Sequence, residues 1–195
     1  MYNIVLASNS PRRKELLAGL GLEFEVRVID GIDERYPDSL PADDVAQYIA
    51  EKKAAAYKPT LKPDELIITA DTVVIVGDDI LGKPADAADA ARMLREISGR
   101  THQVITGVSL LTADKQRSFS VTTGVTFKQL SDAEIQHYIE HYRPFDKAGA
   151  YGIQEWIGYI GVTGLNGSYY NVMGLPVQRI YTELRDSFNA FNDLV

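Results

Sequence analysis

Residues 66–76 read LIITADTVVIV, and this run of largely β-branched apolar side chains predicts a buried strand. Gly77-Asp78-Asp79 then predicts a turn, after which Ile80-Leu81 predicts a short returning strand. Apolar runs alternate with helical patterns on both sides of this segment. That alternation is typical of an α/β fold, with a sheet and flanking helices.

The chain before this strand carries two further strand signals and two helix signals. Residues 3–7 predict a short buried strand, and residues 23–29 predict a half-buried one. Between them lies a helical pattern over residues 12–19, with Ser10 as a good N-cap. A second helix is predicted over residues 43–58.

The chain after this strand continues in the same way. Residues 102–111 and 118–127 predict a long hairpin, and Ser131 with Glu134 forms a capping box at a helix start. Helices are predicted over residues 86–97, 131–143 and 177–191. No linker interrupts the pattern, so residues 1–195 are predicted to form a single domain.

The composition excludes several classes of protein. The 195-residue chain carries 20 lysines and arginines against 27 aspartates and glutamates, a formal charge of −7. Proteins that bind nucleic acid or anionic membranes have a basic bias, so neither partner is expected. The chain has no cysteine, which excludes disulfides, thiolate metal sites and a cysteine nucleophile. The sequence shows neither a signal peptide nor a run of ~18 apolar residues, which predicts a cytoplasmic protein.

The segment Ser8-Asn9-Ser10-Pro11-Arg12-Arg13 joins the first predicted strand to the first predicted helix. A helix N-terminus attracts anions through its free N–H groups and its dipole, and serine and arginine add donors suited to phosphate. Two arginines oppose the dipole at this end, which an anionic partner would explain. A capped helix with solvated arginines is the alternative, and the local pattern leaves both open.

Three further segments place polar residues in apolar or glycine-rich surroundings. Asp71 precedes Thr72 inside the apolar strand, where a carboxylate either holds Mg²⁺ and orients water or pairs with a basic side chain. Leu81-Gly82-Lys83-Pro84 fixes one lysine, and in isolation this pattern favours a solvated turn. In residues 146–154, small residues let a ligand approach the backbone closely, and the Gln154 amide can form hydrogen bonds with the edge of a base. The alternative is that this segment is only a tight structural turn.

The histidines give weaker signals. His102, in Ser98-Gly99-Arg100-Thr101-His102, favours a structural role. His137 and His141 are four residues apart on one predicted helix, a spacing that can hold zinc. Because the acidic pattern of a zinc hydrolase is missing, a surface role is favoured for this pair.

Taken together, these segments resemble the motifs of the Maf family of septum-formation-protein-like nucleotide pyrophosphatases. The resemblance runs in order from Leu6 to about Leu184, and its six segments cover residues 6–13, 70–74, 81–84, 98–102, 146–154 and 167–176. It implies a domain related to the inosine triphosphate pyrophosphatases, with a mixed twisted sheet, flanking helices and a cleft between two lobes. It also points to a homodimer, the commonest oligomer.

The resemblance further implies hydrolysis of a nucleoside triphosphate to its monophosphate and pyrophosphate, with Mg²⁺ or Mn²⁺. The family positions that carry the site match Ser8, Arg12, Arg13, Glu34, Lys53, Asp71, Lys83 and Gln154. Lys52 adjoins Lys53, so that match has a one-residue ambiguity. Arg12, Thr72 and Gln154 resemble the branch that acts on dTTP and UTP, and Glu155-Trp156-Ile157 departs from the small, glycine-rich continuation expected there.

The residue types suggest how the chemistry is divided. The four cations Arg12, Arg13, Lys53 and Lys83 suit a triphosphate, with Ser8 and Thr72 as further substrate contacts. Asp71 and Glu34 suit a metal, and Asp71 is also predicted to accept the proton of the attacking water. Gln154 suits the imide edge of a uracil-type base. Modified pyrimidine triphosphates are possible substrates too. The alternatives are the same reaction on a modified purine such as 7-methyl-GTP, or a non-enzymatic nucleotide-binding regulator of septum formation.

Overall fold

The computed structural model describes residues 2–190. In this part of the chain the strands are β1 (Asn3–Leu6), β2 (Phe24–Val26), β3 (Glu65–Val76), β4 (Asp79–Leu81), β5 (Thr101–Leu111), β6 (Gln116–Phe127) and β7 (Val162–Asn166). The helices are α1 (Pro11–Ala18), α2 (Ala42–Tyr57), α3 (Ala87–Ile97), α4 (Asp132–Tyr142), α5 (Trp156–Gly161), α6 (Tyr169–Val172) and α7 (Val177–Phe188). None of the described helices is long and apolar enough to cross a membrane.

The strands form one sheet in the order β2-β1-β3-β5-β6-β7, and β4 pairs with β3. β1 runs parallel to both β2 and β3. The pairs β3–β4 and β6–β7 are antiparallel. The predicted α/β class with a mixed sheet is therefore confirmed, and β3 is the strand predicted over residues 66–76, extended by one residue.

Two predicted elements are shorter in the structure. β2 covers Phe24–Val26 rather than residues 23–29, because its ladder with β1 extends only over Ile4–Leu6. α7 ends at Phe188 rather than near residue 191, because Asn189 adopts a left-handed conformation (φ 51°) and its N–H bonds to the Leu184 carbonyl. Residues 191–195 lie outside the described part of the chain.

The chain divides into two compact units. Of the described residues, the first unit comprises 2–71, 106–121 and 174–190. A buried cluster that includes Val5, Tyr57 and Ile67 lies in this unit. Helix α2 approaches β5 so closely that a Cβ added at Gly107 would lie 2.3 Å from the Ala46 carbonyl carbon, a contact only glycine permits.

The second unit comprises residues 72–105 and 122–173. Its core packs apolar side chains of α3 and α4 with those of the strands, and includes Leu94, Ile97 and Phe127. The Phe127 and Tyr151 rings meet edge to face, with centroids 5.1 Å apart. This packing brings the segment around residues 146–155 against the core of the unit.

Candidate active site

The N-terminus of α1 follows β1 as the sequence predicts. The Ser10 hydroxyl caps the helix by accepting from the Arg13 N–H at 3.4 Å, and Pro11 occupies the first turn. The buried Ser8 hydroxyl accepts from the Ser10 N–H at 3.2 Å. The Ser8 hydroxyl therefore helps to shape the turn that presents Arg12, which is partly exposed.

Arg13 has a second role besides its charge, because its guanidinium binds the backbone. Its Nε donates to the Gly174 carbonyl at 2.8 Å, and its Nη1 donates to the Ala70 carbonyl at 2.9 Å. Burial lowers the pKa of Arg13, and the nearby carboxylate of Asp71 opposes that shift. Arg13 thus ties the start of α1 to the residue directly before Asp71.

Lys53 joins two of the predicted acidic residues. Its ammonium lies 2.8 Å from Asp71 Oδ1 and 3.1 Å from Glu34 Oε1. The side chains of Lys53 and Asp71 are only 15% and 16% exposed, whereas that of Glu34 is 56% exposed. Asp71, Lys53 and Glu34 therefore form a carboxylate–lysine–carboxylate group, open on the Glu34 side.

The position of α2 explains why Lys53 reaches this group. The Thr69 hydroxyl on β3 donates to the Ala50 carbonyl on α2 at 2.7 Å, two residues before Asp71 in the chain. Lys52 points elsewhere: its ammonium donates to the Arg35 carbonyl at 2.7 Å and pairs with Asp33 at 3.4 Å. The geometry favours Lys53 over Lys52 as the site lysine.

The residues of this group that could hold a divalent cation are the carboxylates of Asp71 and Glu34. Within residues 2–190 there is no cluster of three or more metal-ligating side chains. Mg²⁺ is commonly held by one or two carboxylates together with substrate phosphates. The carboxylates of Asp71 and Glu34 are of that type and number, and both contact the Lys53 ammonium.

The remaining predicted site residues belong to the second unit. Thr72 follows Asp71 in β3 and is partly buried. Lys83 is exposed just after β4, and the carbonyl of its neighbour Gly82 accepts from the Gly149 N–H at 3.0 Å. Gly149 and Ala150 both have left-handed backbones (φ 68° and 59°), so this turn holds an alanine in a conformation that usually needs glycine.

Gln154 lies close beside this turn. Its Oε1 is buried and accepts no hydrogen bond from any residue among 2–190. Buried amide oxygens normally have a donor, so this one is suited to receive a donor from a ligand. A Cβ added at Gly152 would lie 3.0 Å from Gln154 Nε2, which places the carboxamide over the Gly152 backbone.

The Glu155-Trp156-Ile157 departure has a structural role. The Glu155 carboxylate pairs with Lys147 at 3.2 Å and accepts from the Tyr138 hydroxyl. The Trp156 ring lies against His137, with centroids 4.7 Å apart, and Ile157 is fully buried. Sequence reasoning missed Tyr138, because a tyrosine among the apolar positions of a helix gives no sign of where its hydroxyl points.

The other conspicuous segments are occupied by packing contacts. His102 is buried, its Nε2 lies 2.7 Å from the Tyr151 hydroxyl, and burial lowers its pKa to about 4. The predicted structural role of His102 is consistent with this. His137 and His141 are exposed and stacked on α4, with centroids 4.2 Å apart. In residues 167–176, Asn171 is buried and donates to the Val104 carbonyl at 3.2 Å.

The chain has extensive similarity to known proteins. A family model described as Maf-like protein matches residues 3–187. The chain is 63% identical over 184 residues to a dTTP/UTP pyrophosphatase of Phocaeicola vulgatus, covering 94% of this chain and 95% of that protein. It is 59% identical to a dTTP/UTP pyrophosphatase of Parabacteroides distasonis, with the same two coverages. The chain belongs to the Maf family.

Solved structures give a more distant likeness. A HAM1 protein from Coxiella burnetii is 15% identical, with a TM-score of 0.48, covering 96% of this chain and 100% of that one. A Ham1 protein from Staphylococcus aureus is 20% identical, with a TM-score of 0.40, covering 64% of this chain and 71% of that one.

Proposed function

We propose that this protein is a nucleoside triphosphate pyrophosphatase that hydrolyses dTTP and UTP to the monophosphate and pyrophosphate. The relatives named dTTP/UTP pyrophosphatase, which align along nearly the whole chain, support the substrate class. The observation that carries the chemistry is the Asp71–Lys53–Glu34 group, which lies in the same unit as Arg12 and Arg13. Arg13 lies near enough to Asp71, Arg12 and Glu34 for their charges to act on its pKa, so cations and carboxylates are gathered here on a chain with a charge of −7.

Cleavage between the α and β phosphates places negative charge on the pyrophosphate leaving group. Catalysis of such a step depends mainly on positioning and on charge stabilisation. Arg12 and Lys53 bind the phosphates in this scheme, with Lys83, Ser8 and Thr72 as further substrate contacts. Arg13 contributes charge and also holds the backbone at Ala70 through its 2.9 Å hydrogen bond.

Asp71 is the proposed general base, which accepts the proton of the attacking water. Its carboxylate accepts from the Lys53 ammonium, and Arg13 binds the carbonyl of the preceding residue, Ala70. Positioned bases of this kind contribute about 10²–10⁴-fold to a rate. A carboxylate bound directly to a metal is a poor base, so the two roles proposed for Asp71 compete for its oxygens.

Asp71 and Glu34 would hold a divalent cation, Mg²⁺ or Mn²⁺. When bound with the triphosphate, this ion would neutralise phosphate charge and lower the pKa of bound water. Binding would require Lys53 to share the two carboxylates that it now contacts. The Lys53 ammonium would also contact a phosphate oxygen of the substrate.

Base selection is assigned to Gln154. A carboxamide presents one donor and one acceptor side by side, which matches the N3–H and carbonyl of a uracil-type ring. A base with a different edge would leave buried polar groups unpaired, which lowers kcat/KM for that nucleotide. We further propose that residues 1–195 act as one catalytic domain, that the active form is a cytoplasmic homodimer, and that it binds neither nucleic acid nor membrane.

A panel of triphosphates tests this function. The wild-type protein is assayed with Mg²⁺ for pyrophosphate release from dTTP, UTP, CTP, GTP and 7-methyl-GTP, beside the Gln154→Ala variant. The proposal expects dTTP and UTP to be preferred, and expects Gln154→Ala to lose that preference more than its overall rate. A preference for the purines would favour the modified-purine alternative, and no release from any nucleotide would favour a non-enzymatic regulator.

A further inference from the structure

Gly152 is surrounded by three side chains of its own segment. A Cβ added there would lie 3.0 Å from Gln154 Nε2, 3.1 Å from Glu155 Cδ and 3.1 Å from Lys147 Cε. The Glu155 N–H donates to the Gly152 carbonyl at 3.0 Å, which closes a turn containing Gln154. The position of the Gln154 carboxamide therefore depends on where the Gly152 backbone is held.

The Tyr138 hydroxyl holds that backbone from α4. It accepts from the Gly152 N–H at 3.0 Å and donates to the Glu155 carboxylate. The Tyr138 side chain is fully buried, and burial together with the adjacent Glu155 raises its pKa. The phenol therefore stays protonated and keeps its donor at any ordinary pH.

Lys147 supports the same carboxylate from the other side. Its ammonium lies 3.2 Å from Glu155 Oε1 and 2.8 Å from Asp146 Oδ1, on a side chain that is 9% exposed. Without Glu155, Lys147 would keep, among residues 2–190, only its contact with Asp146, whose side chain is 59% exposed, so the ammonium would be held less firmly. Both carboxylate oxygens of Glu155 are thus engaged, one by Tyr138 and one by Lys147.

We propose that Tyr138, Glu155 and Lys147 are positioning residues that fix the Gln154 carboxamide and thereby set the base selectivity of the enzyme. This inference rests on the proposed function, in which Gln154 reads the base. Buried polar networks hold one geometry when every member is satisfied, and the loss of one partner releases the others. Glu155, the residue that departs from the expected glycine-rich continuation, thus serves as the anchor of the turn.

The test compares two tyrosine-to-phenylalanine variants on the same helix. Tyr138→Phe removes the hydroxyl that binds Gly152 and Glu155. Tyr142→Phe is the matched control, since Tyr142 is 39% exposed and its ring stacks on that of Tyr138 with centroids 5.2 Å apart. The measured quantity is the ratio of kcat/KM for UTP to that for CTP, two nucleotides that differ in the base edge that Gln154 would read.

We expect Tyr138→Phe to lower this ratio about tenfold and Tyr142→Phe to leave it unchanged. In a Gln154→Ala background, Tyr138→Phe should lower the ratio no further, because residues that act through one group are not additive. Glu155→Gln keeps the shape of the side chain but weakens the bond to Lys147, and it should lower the ratio in the same direction. This second variant decides the question if Tyr138→Phe does not fold.

The outcomes separate this inference from the function on which it rests. If Gln154→Ala leaves the UTP/CTP ratio unchanged, Gln154 does not read the base, and both its proposed role and the positioning inference are wrong. If Gln154→Ala abolishes the preference while folded Tyr138→Phe and Glu155→Gln proteins retain it, only the positioning inference is wrong. A uniform fall in kcat/KM for both nucleotides in Tyr138→Phe would also contradict the positioning inference.

Discussion

Replacement of Lys53 by methionine tests the core of the proposed site. The ammonium lies 2.8 Å from Asp71 and 3.1 Å from Glu34, and it is a proposed ligand of the substrate phosphates. Loss of one well-placed donor to a developing negative charge typically costs about 10²–10³-fold in rate, or about 2.7–4 kcal/mol. We therefore expect Lys53→Met to lower kcat/KM for dTTP by about that factor.

The effect on stability should be smaller than the effect on rate. The Lys53–Asp71 contact is largely shielded from water, and a hydrogen bond to a charged group there contributes about 1.5–3 kcal/mol. The contact with Glu34 contributes less, because Glu34 is 56% exposed and solvent screens the pair. Lys53→Met should therefore fold, with a free energy of unfolding lower by about 1–3 kcal/mol.

Lys52→Met is the matched control for this experiment. Lys52 is the adjacent residue on α2, but its ammonium contacts Asp33 and the Arg35 carbonyl. Its replacement should change kcat/KM for dTTP by less than about threefold, since it removes a partly exposed contact. The assay is pyrophosphate release at saturating Mg²⁺, with thermal unfolding measured alongside. A larger loss in Lys52→Met than in Lys53→Met would refute the assignment.

Three further changes test other parts of the structure. Asp71→Asn should lower kcat for dTTP by at least about 10²-fold while nucleotide binding persists in calorimetry, and normal turnover would exclude Asp71 as base. Gly107→Ala should lower the free energy of unfolding in urea by at least about 3 kcal/mol, because its Cβ would overlap backbone atoms of α2. Gly124→Ala is the control and should lower it by under about 1 kcal/mol, because the nearest atom to its new Cβ is 3.8 Å away. Arg27→Gln should destabilise the protein most above pH 4.5 and progressively less as the pH falls towards 2. Hydrogen bonds from Arg27 lower the pKa of Glu65 to about 2, and their contribution to stability vanishes when Glu65 is protonated. A loss of stability that does not depend on pH would contradict this expectation.

Sequence patterns over a few neighbouring residues predicted where helices begin. Ser10 and Pro11 predicted the start of α1, and Ser131 with Glu134 predicted the capping box of α4, because caps depend on residues close in sequence. The extent of β2 could not be predicted in this way. A strand ends where its partner ends, and β1 pairs with β2 over only three residues.

The site was predictable in its residue types and less so in its contacts. Adjacent residues on a helix point about 100° apart, so the choice between Lys52 and Lys53 depends on how α2 lies on β3. The backbone bonds of Arg13 and the Tyr138 support of Gly152 join residues far apart in sequence. No local pattern predicts such contacts, because the packing of whole elements creates them.

The proposed reaction is the cleavage of dTTP and UTP between the α and β phosphates. Phosphorus NMR of the purified protein with dTTP and Mg²⁺ distinguishes this reaction from others, since it identifies every phosphorus product. We expect dTMP and pyrophosphate in equal amounts, with UTP giving UMP and pyrophosphate in the same way. The appearance of dTDP with inorganic phosphate, or the persistence of dTTP under conditions where the protein is folded, would contradict it.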